Sequence, residues 1–409
     1  MAIGTIQGRH TRVTIPLFAA GPDFNLSSHS QPIRALHIIS GDLWAGAEAQ
    51  AFTLLSALRK RGLDVHAVVM NEGELTRRLK ANDITVTILD ERRMSPVGIL
   101  VALRRLMRSW RPDIVHTHRI KENVLGSLAN RLALNVPSLR TVHGAPEHKA
   151  TGIAQLHKRA FQWLDRWCAR HLQERLIAVS SDLAVKLAVQ LPREKIVVIE
   201  NGVDVEAVRA QIKPVDFRTR EPNATHIGIA GRLTPVKRMD IFLRTAQLLS
   251  HRSPERDWRF HVFGDGPLLT TLIAQAEMLG ISGITTFHGH REDIIACLGG
   301  LDVLVLCSDH EGLPMIVLEA MAVGARIASH AVGGIPDALS GYSGAALVGT
   351  NDAEAYASNI GALLHPAELG SSVPSHLDEK FSTSSNASSV ISLYLQLLRC
   401  SPATGGKVV

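Results

Sequence analysis

The chain has 409 residues, 45% hydrophobic and 20% charged, with a formal net charge of +6. That length exceeds one ordinary core and implies two domains, while the absence of any apolar run of about 18 residues argues against a membrane span. Nucleic acid is disfavoured as a partner, because only 4% of residues are aromatic and the basic ones are scattered.

Residues 1–33 read as a loose tail. Thr14 to Ala20 is a short apolar patch without a convincing cleavage site, so no signal peptide is expected. A first series of β-branched strands starts at Ala35 to Ser40. It continues at Asp64 to Met70, Thr85 to Asp90, Asp113 to His118, Ser138 to His143, Leu176 to Ser180 and Lys195 to Asn201. Helical patterns fill most gaps, among them Ala47 to Arg61, Val97 to Trp110 and Ile153 to Glu174. A polar stretch, Val205 to Thr225 with Pro214 and Pro222, reads as a linker.

A second series follows at His226 to Gly231, Trp258 to Gly264, Ile284 to Gly289, Val303 to Ser308, Arg326 to His330 and Ala345 to Val348. Helices are expected over Arg238 to His251, Pro267 to Leu279 and Pro314 to Val323. The Pro/Ser-rich stretch Glu368 to Ser389 should end the second sheet, and an amphipathic helix at about Val390 to Leu398 should cross back to the first domain.

Strands alternating with helices imply parallel sheets covered on both faces. The fold class is therefore α/β, with two Rossmann-like domains facing a cleft. The expected organisation is a tail at 1–33, a first domain at 34–204, a linker at 205–225, a second domain at 226–380 and a terminal helix and tail at 381–409. Charge divides between the halves. Residues 1–200 hold 28 Lys+Arg against 17 Asp+Glu, and residues 201–409 hold 16 against 21. That asymmetry suits either an anionic surface as partner for the first half or simply a solvated basic domain. The four cysteines show no CxxC spacing, so no zinc site is expected and a reducing compartment fits.

In open parallel sheets ligands bind beyond the carboxyl ends of the strands, so polar residues at strand tips matter most. The first such tip, Gly41 to Glu48, lacks G-x-G-x-x-G and so carries no nicotinamide fingerprint. Its small residues Ala45, Gly46 and Ala47 still let a ligand approach a helix start. His116 and His118 end one strand and His143 ends the next. Position favours a functional His143, whereas His116 and His118 serve equally well as structural residues.

Gly231 is followed by Arg232 and Lys237, two cations at a strand end that suit a diphosphate. Phe263 to Pro267 is read as an ordinary Gly-rich strand-to-helix turn, and the backbone around His290 is placed to read a base. Glu311 and Glu319 bracket seven residues that include Gly312, Leu313, Pro314, Met315 and Ile316. Glu311 falls on a turn, Pro314 suits the first position of a helix, and Glu319 sits about a turn and a half further in. The free N–H groups and dipole of that helix mouth attract phosphate. No D-x-D occurs to chelate a metal for a diphosphate; fixed positive charge takes that place.

Taken together, these segments resemble the retaining glycosyltransferases of family 4, with the GT-B fold, from about Arg34 to Leu398. The specific part is the ordered set G-R-L-x-x-x-K, F-G-D-G-P, F-x-G, E-x7-E and Gly333-Gly334-Ile335-Pro336-Asp337. The resemblance implies that Arg232 and Lys237 grip the diphosphate of a nucleotide sugar. It implies that Glu311 and the N–H groups of Gly312 to Ile316 contact the donor sugar, and that Glu319 holds the ribose. Gly46 matches the second glycine of the family's Gly-Gly loop, with Ala45 in place of the first. His143 matches the family's His near the donor sugar and acceptor.

The implied activity is metal-independent, retaining transfer of a sugar, from UDP more than GDP, to a saccharide or lipid-linked saccharide for a cell-envelope polysaccharide or exopolysaccharide. No cofactor is required. Arg104, Arg105, Arg108 and Arg111 on one helical stretch suit an anionic bilayer, which would place a cytoplasmic protein on the inner face of the membrane. The competing readings are a nucleotide-sugar epimerase or phosphorylase of the same fold, and an inactive nucleotide-sugar-binding partner subunit.

Overall fold

The computed structural model describes residues 31–41, 44–144, 153–365 and 374–400. Nearly all of the expected tail 1–33 lies outside the described residues, as do residues 401–409. The strands of the first series are β1 (Arg34–Ile39), β2 (Asp64–Val69), β3 (Thr85–Ile88), β4 (Ile114–Thr117), β5 (Ser138–Val142), β6 (Arg175–Ala178) and β7 (Ile196–Val198). Those of the second are β8 (Thr225–Ala230), β9 (Trp258–Phe263), β10 (Thr285–Gly289), β11 (Val303–Leu306), β12 (Arg326–His330) and β13 (Ala345–Val348).

These strands form two wholly parallel sheets, ordered β3-β2-β1-β4-β5-β6-β7 and β10-β9-β8-β11-β12-β13. β4, β5 and β11 are buried at every residue, as strands covered by helices on both faces should be. Strand order reverses between β1 and β4 and again between β8 and β11. Those switch points are where a doubly wound sheet opens a crevice beyond its carboxyl ends.

The two sheets share one buried apolar cluster. Val142, Val179 and Leu183 from the first half belong to it with Leu313, Met315 and Ile335 from the second. The backbone crosses between the halves twice, side by side. Val203 pairs with Ser382, the Val203 N–H donates to the Phe381 carbonyl at 2.7 Å, and the Thr383 N–H donates to Val203 at 3.1 Å. Beyond this crossing the helix Thr383–Cys400 lies on the first sheet, where Ala387, Val390, Ile391, Leu393 and Tyr394 join its core. Full burial of each large apolar side chain there contributes roughly 1.5–3 kcal/mol.

One expectation needs correction and a second is refined. The terminal helix starts at Thr383, not near Val390, and the helix Ser375–Lys380 precedes it. The polar residues Thr383 to Asn386 therefore open the helix, and the apolar face from Ala387 onward fixes it to the core. The stretch Val205 to Thr225, read as a polar linker, does join β7 to β8, but it is helical and packed. It forms helices Val205–Arg209 and Asp216–Arg220, buries Val205, Val208, Val215 and Phe217, and ties Arg218 to Asp302 at 2.8 Å.

Candidate functional site

The second half contributes two loops from the β8/β11 switch point. After β8, Pro235–Lys237 make a single 3-10 turn that projects Lys237 beside the loop after β11. Its ammonium donates to Glu311 Oε1 at 2.6 Å, with both side chains mostly buried. Arg232 lies on the same loop, half-buried. Arg238, next along, is tied instead to Asp240 and Asp309 at 3.0 and 3.3 Å.

The Glu311 loop is held from several sides. Asn201 donates to the Leu313 carbonyl at 2.7 Å, and the Gly334 N–H donates to Gly312 at 2.6 Å. Gly312 sits where no side chain fits, since a Cβ there would lie 2.2 Å from the His143 carbonyl oxygen and 2.8 Å from Val179 Cγ2. Pro314 is the residue before the helix Met315–Ala322, with extended ψ of 130°, and not its first helical residue. Leu313 and Met315 are buried and Ile316 is half-buried. Glu319 follows one turn into that helix. Loss of solvent pushes its carboxyl up to about 7, against a downward pull from the Arg78 charge.

The first half faces this with the tips of β1, β4 and β5. The helix Gly46–Lys60 opens at Gly46, where a Cβ would meet nothing within 4 Å. In its first turn Glu48 is buried and meets the Arg119 guanidinium at 2.6 Å. Arg78 lies 4.2 Å over the Trp44 ring and pairs with Glu74 at 2.6 Å. His143 stands at the seam between the halves, its backbone against Gly312.

Behind His143 runs a file of histidines on one face of the first sheet. His118 Nδ1 and His143 Nε2 are 3.2 Å apart, and His37 Nδ1 and His118 Nε2 are 3.0 Å apart. Tyr394 Oη lies 3.2 Å from His37 Nε2 and 2.7 Å from His116 Nδ1, and His116 Nε2 reaches Thr141 Oγ1 at 2.7 Å. Burial is the main force lowering the pKa of all four imidazoles, His118 to about 3, so they are neutral at pH 7.

Among the described residues, His37, His116 and His118 are the group whose nitrogens come close enough to consider a metal ion, within 4.8 Å of one another. The His116 and His118 rings stack at 11°, however, and their nitrogens already pair with each other's neighbours. A metal needs lone pairs converging in the ring planes; stacked rings form a hydrogen-bonded file instead.

The seam thus gathers Lys237, Glu311, Gly312 and His143. Arg232 sits on the Lys237 loop, and Leu313, Met315, Ile316 and Glu319 lie along the adjoining helix mouth. His290 stands apart: it is exposed after β10, an edge strand separated from β11 by β9 and β8. Sequence reasoning missed Arg78, Glu48, Arg119 and Tyr394. Glu48 and Arg78 sit in the helices Gly46–Lys60 and Glu74–Ala81 and Arg119 just before the helix Ile120–Ala133, and no motif in the sequence joins these three distant segments. Tyr394 reaches the file from another part of the chain, with no local pattern to mark it.

A family model described as "Glycosyltransferase Family 4" matches residues 44–207, and one described as "Glycosyl transferases group 1" matches residues 224–366. The chain belongs to the group 1, family 4 glycosyltransferases. This family 4 protein is 29% identical over 311 residues to an Escherichia coli UDP-Gal:alpha-D-GlcNAc-diphosphoundecaprenol alpha-1,3-galactosyltransferase, covering 73% of this chain and 79% of the relative. It is 28% identical over 284 residues to a Streptomyces fradiae 2-deoxystreptamine N-acetyl-D-glucosaminyltransferase, covering 66% and 67%. Its fold is GT-B. Anabaena HepE in complex with UDP-glucose superposes with a TM-score of 0.75 at 17% identity, over 89% of this chain and 100% of that one. Sucrose-phosphate synthase from Thermosynechococcus elongatus gives 0.71 at 16%, over 90% and 100%.

Proposed function

We propose that this glycosyltransferase moves a sugar from a UDP-sugar to a hydroxyl of a saccharide or lipid-linked saccharide, with retention and without a metal ion, in cell-envelope or exopolysaccharide synthesis. The observation that carries the reading is the Lys237–Glu311 pair, 2.6 Å long, at the seam where the carboxyl ends of the two sheets face each other. An ammonium has three donors, so Lys237 keeps N–H groups for phosphate oxygens while it orients Glu311. Arg232 on the same loop and the N–H groups at Met315 and Ile316 add positive potential. The open mouth at Gly46 leaves room for a diphosphate from the opposite side.

The chemistry follows from that arrangement. The bond from C1 to the diphosphate breaks, and the sugar takes on oxocarbenium character. Lys237, Arg232 and the helix mouths stabilise charge growing on the leaving oxygen, each contributing roughly 3 kcal/mol by analogy with oxyanion donors. Glu311 holds donor-sugar hydroxyls, and Glu319 the ribose. The acceptor hydroxyl attacks on the face the diphosphate leaves, and its proton passes to the departing phosphate oxygen. Closure of the seam around Gly312 keeps water from the donor.

UDP is favoured because the E. coli relative is named for UDP-Gal and the HepE structures hold UDP or UDP-glucose. The lipid-linked acceptor in that relative's name supports a similar acceptor here. The test is transfer from a panel of UDP- and GDP-sugars to lipid-diphosphate saccharides, with Lys237→Ala and Glu311→Ala alongside the wild type. Each substitution should lower kcat about a hundredfold or more. Near wild-type kcat in both variants rejects the assignment.

A further inference from the structure

We propose that Tyr394 is a positioning residue for His143: acting through His37 and His118, it fixes which ring nitrogen of His143 carries the proton. This rests on the reading of His143 as a group beside the reacting sugar. The juxtaposition comes from sheet register. His37 pairs with His116 across β1 and β4, and His116 with Leu139 across β4 and β5. Alternation along parallel strands then puts His37, His116, His118, Thr141 and His143 on one face. The helix Thr383–Cys400 covers that face and inserts the Tyr394 hydroxyl between His37 Nε2 and His116 Nδ1.

A neutral imidazole has one N–H and one lone pair, so the file has a direction. If the Tyr394 hydroxyl donates to His37, then His37 Nδ1 donates to His118 and His118 Nδ1 donates to His143 Nε2. The proton of His143 is then on Nδ1, a donor. If the hydroxyl donates to His116, every bond reverses and His143 Nδ1 is an acceptor. Either way, one proton on Tyr394 sets all the rings between it and the seam.

The outer end of the file is open. His143 Nδ1 is buried and has no hydrogen-bond partner among the described residues. A second file, His226–His261–His288, is anchored where His226 Nε2 donates to the Glu221 carbonyl at 2.8 Å, which fixes its direction by a group that only accepts. The first file ends on hydroxyls at Tyr394 and Thr141, which both donate and accept. Its direction is therefore selected at Tyr394, and its unused valence points out through His143.

The test uses the full-length protein with isotope-labelled histidine. Nitrogen NMR of the ring reports the tautomer of His143 without substrate, with the signals assigned by comparison with His143→Asn. The wild type should show one dominant tautomer. Tyr394→Phe, which removes only the hydroxyl, should bring in the second tautomer and lower kcat about tenfold, with KM for the donor within about twofold. His118→Gln, which interrupts the file next to His143, should do the same. Unchanged His143 signals in both variants overturn the proposal, and so does loss of the fold in both, since the file would then be structural. The spectral readout needs no turnover, so it decides the matter even if no sugar is transferred and the functional reading itself fails.

Discussion

A carboxyl that titrates near neutrality makes binding sensitive to pH in the range where enzymes work. Burial lifts Glu319 from 4.5 to about 7. If its carboxylate accepts ribose hydroxyls, the ionised form is the binding form, and UDP affinity should rise about tenfold between pH 6 and pH 8. Glu319→Gln should flatten that dependence in a calorimetric titration; a flat wild-type profile would remove the carboxylate from the site. Stability should move the other way. The folded state holds the proton more tightly than the unfolded chain, so the contribution is full below pH 4.5 and is lost as pH rises through 7. Glu319→Gln should therefore raise Tm relative to wild type at pH 8 more than at pH 5. Glu319, Glu311 and Lys237 could be picked out of the sequence because each lies in a contiguous run with a fixed place on a strand tip or helix mouth. Arg78 could not: its influence on Glu319 exists only because the two halves close on each other. His116 and His118 read as undecided for a similar reason, since His116 meets Tyr394, 278 residues away, and His118 meets His37, 81 residues away.

The loop Glu311–Pro314 and the helix mouth at Gly46 make a contrasting pair. Gly312 is pressed against backbone, 2.2 Å from the His143 oxygen to a Cβ position, and a carbonyl cannot step aside without opening the seam. Gly312→Ala should cost about 1–3 kcal/mol in urea unfolding and lower turnover with it. Gly46→Ala adds its methyl to open space, so it should leave stability unchanged while weakening UDP binding, a combination expected only if ligand approaches that helix mouth. At this scale most strands were legible, because short apolar runs such as β11 alternate with helical stretches, a pattern that fits a parallel sheet. The packing of the linker 205–225 was not legible because its polar composition hides four apolar residues, Val205, Val208, Val215 and Phe217, that are buried in the shared core. The terminal helix was placed too late because its first turn is Ser/Thr-rich, and only packing shows that it is helical.

Over the whole molecule, positive charge gathers in residues 1–200, and the helix Ile153–His171 adds an apolar element to it. Trp163 is 60% exposed and Trp167, one turn on, is 38% exposed, with Arg166 and Arg170 in the same stretch. Interfacial tryptophans beside arginines suit the headgroup region of an anionic bilayer. We expect the protein to co-sediment with anionic vesicles at physiological salt, and replacement of Trp163 and Trp167 by Ser to abolish it; absence of wild-type binding would count against the membrane. Arg104 and Arg108 turn to the Leu132 carbonyl at 3.0 and 3.4 Å, as Arg166 and Arg170 turn to Gln190 at 3.3 and 2.6 Å, so the exposed tryptophans carry this expectation. The double crossing at Val203 and Ser382 bears on how the protein is made. The lobe that leaves the ribosome first lacks Val390, Ile391, Leu393 and Tyr394 until residues 383–400 have been synthesised. Its greasy flank stays bare through most of translation, so the earlier half matures only after the later one, and chaperones have their longest opportunity to bind on the side that faces the helix Gly46–Lys60.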